Sequence, residues 1–132
     1  MPTAPATTTR ILVAADGAWV RNQVRAALVG PGQEVIEVTR GQDVRDVVAR
    51  EHPAVVILDL QISNMGGIAV ALDLHLEAGA GRLPEVAIVL LLDREADRFL
   101  AGRAAVDAEL VKPFDPATLR RTVESLVEGN DA

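Results

Sequence analysis

The run Ala54-Val55-Val56-Ile57-Leu58-Asp59 constrains the fold of this chain more than any other stretch. Its apolar residues, β-branched at Val55, Val56 and Ile57, stop abruptly at a carboxylate. A run this short and this uniformly apolar reads as a strand buried on both faces. His52-Pro53 closes the segment before it, because a residue preceding proline is steered out of the helical region. Asp59 therefore falls at the carboxyl end of a central strand, the edge at which open α/β sheets bind ligands. A carboxylate there either caps the next turn or belongs to a site. The rest of the chain decides between them.

The remainder alternates between two periods. Ile11-Leu12-Val13-Ala14-Ala15 is a second buried strand, and it too ends in a carboxylate, Asp16, followed by a turn at Gly17. From Ala18 to Leu28, Val20, Val24, Ala27 and Leu28 share one helical face. Gly30-Pro31-Gly32 ends that helix. Glu34–Thr39 alternates charged and apolar residues, the pattern of a strand near a sheet edge. Gln42–Glu51 carries Val44, Val47 and Val48 at helical spacing. After the central strand, Gln61 to Gly67 is a turn-rich loop. Ile68–Ala78 predicts a largely buried helix, with Ile68, Leu72, Leu76, Val70 and Leu74 as its apolar residues. Val86–Leu92 is a fourth buried strand, and Asp93 is placed to cap a helix over Arg94–Ala105. Glu109-Leu110-Val111 is a short fifth strand running into Lys112-Pro113-Phe114. Asp115 and Pro116 supply an N-cap and a first-turn proline for a last helix, whose apolar face is Leu119, Val123, Leu126 and Val127.

Five βα units in strict alternation predict a doubly wound parallel sheet, since parallel strands need crossover helices that cover both faces. Five strands suit the flavodoxin-like order 2-1-3-4-5, in which strands one, three and five have neighbouring carboxyl ends along one rim around the switch point. That places Asp16, Asp59 and Lys112 on one rim, and Lys112 is the only lysine in the chain. The domain is expected over 10–128, with a loose Pro/Ala/Thr-rich tail over 1–9 and a frayed end over 129–132.

A net charge of −6 argues against nucleic acid as a direct partner. Without cysteine no disulfide can form. No apolar run approaches the roughly 20 residues of a membrane span, and the start lacks the layout of a secretory signal. A cytoplasmic protein with no membrane partner is expected.

Two carboxylates and an ammonium group at one rim can form a structural ion pair, or they can handle phosphate. Close carboxylates repel unless a cation intervenes. Mg²⁺ takes oxygen ligands and keeps several waters. One carboxylate can then attack a phosphoryl group while metal and ammonium neutralise its oxygens. A metal-assisted phosphohydrolase on the same frame lacks an evident second general base or a glycine-rich phosphate cradle.

The motifs Ile11-Leu12-Val13-Ala14-Ala15-Asp16, Val55-Val56-Ile57-Leu58-Asp59 with Met65-Gly66-Gly67 behind it, and Val111-Lys112-Pro113-Phe114 together resemble those of a response-regulator receiver domain. The resemblance covers about Arg10 to Glu128. It implies that Asp59 accepts a phosphoryl group from a histidine kinase or phosphotransfer protein. It also implies that Mg²⁺ is held by Asp16, Asp59 and the main-chain carbonyl of Gln61, that Lys112 contacts the phosphoryl group, and that Lys112-Pro113 is cis. Output would pass to a downstream protein, or through a homodimer built on the fourth helix, fifth strand and fifth helix. No output domain follows in the sequence, so a stand-alone receiver is expected.

The departures are specific. Ala15 stands where the family carries a first acid, which weakens the expected Mg²⁺ site. Leu90 or Leu91 stands where the family carries Thr or Ser, and a hydrogen bond to a charged group is worth about 1.5–3 kcal/mol. Glu109 replaces the aromatic switch residue, Ser63 the proline after the acceptor, and Gly66 the acid before the loop glycine. A phosphorylation-independent docking or dimerisation module is the alternative. His52 and His75 are read as structural. Trp19 is read as a packing residue, with shielding of the Asp16 edge as its other role, and Arg94, Arg98 and Arg103 as a solvated face.

Overall fold

The computed structural model describes residues 8–62 and 65–130. Among them five parallel strands form one sheet: β1 (Thr9–Ala14), β2 (Gln33–Val38), β3 (Val55–Asp59), β4 (Ala87–Leu92) and β5 (Ala108–Val111). Their order is β2-β1-β3-β4-β5. The helices are α1 (Ala18–Leu28), α2 (Val44–Glu51), α3 (Gly67–Gly79), α4 (Arg98–Arg103) and α5 (Pro116–Asn130). This is the flavodoxin-like arrangement, with β3 central and buried along its whole length.

Two apolar layers sandwich the sheet. Ile11, Val13, Val55, Ile57, Val89 and Leu91 face Val20, Val24 and Leu28 of α1 and Leu119 and Val123 of α5. Leu12, Ala14, Val56, Leu58, Ile88 and Leu90 face Val44 and Val48 of α2, Val70 and Leu74 of α3, and Ala101 of α4. Both faces are covered, so the inner strands β1, β3 and β4 read as near-continuous apolar runs, while the outer strands β2 and β5 keep charged residues. Burying one such Val, Leu or Ile contributes about 1.5–3 kcal/mol, and these two layers hold the rim in place.

Several boundaries differ from the sequence pattern. β1 starts at Thr9, inside the expected tail, because the Thr9 N–H donates to the Gly32 carbonyl at 2.8 Å. α5 continues through Gly129 to Asn130, where fraying is expected; 1–7 and 131–132 lie outside the described residues. Gln42 belongs to a 3-10 turn over Gly41–Asp43, and α2 proper begins at Val44. α4 is shorter than its expected span because a 3-10 turn over Glu95–Asp97 precedes it. There the Asp97 carboxylate reaches back to accept the Arg94 N–H at 3.1 Å, so the turn is closed from its third residue and Asp93 does not cap it. Leu72 and Leu76 of α3 are exposed, because the apolar stripe of this helix is wider than the surface the sheet offers; Val70, Ala71 and Leu74 do the packing. At α5 the Asp115 carboxylate accepts the Ala117 N–H at 3.2 Å, ahead of Pro116.

Candidate functional site

The site is assembled where β3, β4 and β5 end. Asp59 closes β3 and is only 6% exposed. Lys112 follows β5 directly, and its peptide bond to Pro113 is cis. The Lys112 Nζ lies 2.8 Å from Asp59 Oδ1. The main-chain N–H of Gln61 donates to the same oxygen at 3.2 Å. A buried carboxylate requires such partners, since desolvation alone would drive it neutral.

Lys112 has a second carboxylate partner that the sequence pattern assigned elsewhere. Its Nζ lies 2.9 Å from Oδ1 of Asp93, the first residue after β4. Burial pushes the ammonium down, but its bonds to Asp59 and Asp93 outweigh that and hold it above the ordinary lysine range. Asp93 is therefore part of the rim and not a helix cap. The signal was present in the sequence: like Asp16 and Asp59, it is a carboxylate immediately after an apolar strand.

Trp19 closes one side. It is 57% exposed, so it is not the packing residue the sequence suggested. Its ring centroid lies 5.9 Å from Lys112 Nζ, within cation–π range. The indole also folds back over Gly17: a Cβ built there would meet Trp19 Nε1 at 3.0 Å. The shielding role is the one the structure supports.

Asp16 sits on the loop between β1 and α1 and is exposed. That loop is tied down by Arg21, whose guanidinium donates to the carbonyls of Ala15 at 2.8 Å and Asp16 at 2.6 Å. Ala14 pairs with Leu58 across β1 and β3, so Asp16 and Asp59 leave the sheet along the same edge. Among the described residues no group of three or more His, Cys, Asp or Glu side chains is placed to hold a metal. The third rim carboxylate among the described residues, Asp93, is engaged by Lys112; the donors that the resemblance assigns are the Asp16 and Asp59 carboxylates and the Gln61 carbonyl. That set is hard and all-oxygen, which suits Mg²⁺ in kind, but it is thin in charge because Ala15 is buried hydrocarbon.

β4 ends in Leu90, Leu91 and Leu92, all fully buried. The register sets Leu91 abreast of Asp59 and Leu90 abreast of Leu58, so neither offers a hydroxyl to the rim. Glu109 of β5 accepts from Arg98 of α4 at 3.1 Å. Arg98 also pairs with Glu95, so it is not simply a solvated cation. His75 bonds the Ala105 carbonyl through Nε2 at 3.0 Å, and His52 caps α2 in the left-handed region, both structural uses. Ser63 lies outside the described residues.

A family model described as the response regulator receiver domain matches residues 11–124. Protein PilH of Pseudomonas aeruginosa is 28% identical over 91% of this chain and 98% of its own length. A probable transcriptional regulator, ycf27 of Porphyridium aerugineum, is 31% identical over 92% of this chain but only 49% of its own length. The chain thus spans about half the length of the first curated relatives it matches. Among solved structures, a response regulator from Chloroflexus aurantiacus superposes with a TM-score of 0.82 at 19% identity, covering 92% of this chain and 99% of that one. That likeness concerns the fold.

Proposed function

The chain belongs to the response-regulator receiver family, and on that premise we propose that it accepts a phosphoryl group on Asp59 and signals through protein contacts. The carrying observation is the ammonium of Lys112 at 2.8 Å from a buried carboxylate on the carboxyl edge of the central strand. In the transfer an Asp59 oxygen forms the new O–P bond as the donor's P–N or P–O bond breaks, and the electron pair leaves with the donor. Lys112 neutralises the charge on the transferred group, which is most of what this chemistry asks of a protein. Mg²⁺, when bound by Asp59, Asp16 and the Gln61 carbonyl, would supply further charge neutralisation at the phosphoryl oxygens. With Ala15 in place of a second acid, that binding is weak.

The donor is a histidine kinase or phosphotransfer protein, and the setting is the cytoplasm. Among the described residues no helix is long and apolar enough to cross a membrane. The protein acts as a phosphoacceptor and not as a turnover enzyme. Its output runs to a downstream protein or a second copy through the α4–β5–α5 face.

A second reading, a docking module that works without phosphate, is favoured by one observation. The three residues closing β4 are buried leucines, so no side-chain hydroxyl there can bond a phosphoryl group. Acetyl phosphate with Mg²⁺ separates the two readings by intact mass. A single phosphoryl gain that disappears in Asp59→Asn supports phosphorylation. No gain with acetyl phosphate or any candidate kinase leaves the docking module.

A further inference from the structure

Lys112 holds two carboxylates that lie on different elements. Asp59 ends β3 at the floor of the site, and Asp93 begins the segment between β4 and α4. We propose that Asp93 reads the charge on Asp59: the two acids compete for one ammonium, and what Asp59 carries sets how tightly the β4–α4 segment is tethered. This rests on the phosphoacceptor reading for its physiological trigger, although the competition itself is a property of position 59.

Lys112 carries one positive charge, and both distances are those of charge-assisted hydrogen bonds. A phosphoryl group on Asp59 adds negative charge beside the ammonium. Lys112 is drawn to it, and Asp93 loses its share and faces a stronger repelling neighbour. Removing the charge at 59 does the reverse and leaves the ammonium wholly to Asp93. Among the described residues the end of β4 offers no hydroxyl for this task, because Leu90, Leu91 and Leu92, which lead into Asp93, carry no polar side chain.

The segment is built to pass such a change on. Asp93 is followed by Arg94 in extended conformation, then by the Glu95–Asp97 turn, then directly by α4. Arg98, the first residue of α4, is bonded to Glu109 on β5. A loosened Asp93 therefore frees a short turn at one end while Arg98–Glu109 holds the other. The moving part is confined to 93–98.

Amide hydrogen exchange over 94–98 tests this, with β1–β3 amides as the internal control. Asp59→Asn should slow exchange there, and acetyl phosphate with Mg²⁺ should speed it in the wild type, each by about two- to fivefold, the range for one partly exposed ion pair. Asp93→Asn, and independently Asp93→Ser, should abolish both responses. The proposal is overturned if Asp59→Asn leaves 94–98 unchanged, or if either Asp93 variant keeps the wild-type response. If acetyl phosphate adds no phosphoryl group, the phosphoacceptor reading fails, while the Asp59→Asn comparison still judges the competition for Lys112.

Discussion

Arg98 of α4 donates to Glu109 of β5 at 3.1 Å, so an ion pair occupies the place where the receiver resemblance implies an aromatic side chain. Both side chains are partly exposed, which limits what the pair contributes. Glu109→Ala should lower the unfolding free energy by less than about 1 kcal/mol. A double-mutant cycle with Arg98→Ala in urea should return a coupling of about 0.2–1 kcal/mol. Because the contact is ionic, the coupling should shrink as salt is raised, which an aromatic contact would not do.

Lys112 makes an unusually clean reporter of alkaline stability. The chain has no tyrosine, no cysteine and no other lysine, so no other side chain titrates between neutrality and the arginines. The ammonium is held above its ordinary value in the folded protein, with burial opposed by Asp59 and Asp93. The folded state therefore binds the proton more tightly than the unfolded state. Its contribution is fully present below the ordinary lysine value, about pH 10.4, and is lost as pH rises through the higher folded value. Thermal melts should show stability falling above that pH. Lys112→Met should remove this alkaline limb while lowering stability at neutral pH, because it leaves the Asp59 carboxylate buried without its cation.

The doubly wound sheet was legible because apolar runs and helical stripes are set by the solvent each face meets, and both signals are local. The pairing of Asp59 with Lys112 was legible too, since strand order brings the ends of β3, β4 and β5 to one rim. The place of Asp93 is not legible in the sequence alone. A carboxylate just ahead of a helical pattern satisfies the capping rule as well as the strand-end rule, and only the 3-10 turn over Glu95–Asp97 shows that the helix starts too late for Asp93 to cap it. The place of Trp19 is hidden for a related reason. Its place on α1 says which way it leaves the helix, but not that the indole folds back over Gly17 towards Lys112. Leu72 and Leu76 read as buried in the sequence but are exposed, because a stripe's width in sequence does not reveal how much of it the sheet can cover.

Gly67 opens α3 where the helix passes closest to the end of β3. A Cβ at this position would lie 2.6 Å from the Asp59 carbonyl oxygen and 3.0 Å from the Leu60 Cα, both main-chain atoms that cannot swing aside. Gly67→Ala should therefore destabilise by about 1–3 kcal/mol, the usual cost of overpacking. Because the push falls on Asp59 itself, it should also shift the amide resonances of 59–61. Gly79→Ala, at the other end of the same helix and with nothing within 4 Å of its Cβ, is the control. It should be neutral or slightly stabilising through helix propensity. Equal losses at the two positions would show that α3 is sensitive to alanine in general and not at this contact.

Trp19 is the only tryptophan, and its indole touches both halves of the rim: it lies over Gly17, next to Asp16, and 5.9 Å from the Lys112 ammonium. A divalent cation bound between Asp16 and Asp59 would change the charge beside that ring. Mg²⁺ titration should therefore give a saturable change in Trp19 emission. Asp16→Asn should abolish saturation, because it removes one of the two carboxylates proposed to hold the cation. Ala15→Asp, which adds back a third, should lower the Mg²⁺ concentration at half-saturation, since a hard cation's affinity rises with the number of charged oxygens around it. The Lys112→Met variant separates this from a direct effect on the ring: it removes the cation–π partner and shifts the starting emission, yet should leave a Mg²⁺ response intact. A wild-type titration that is flat, or one that Asp16→Asn does not change, would mean that these oxygens do not form a metal site.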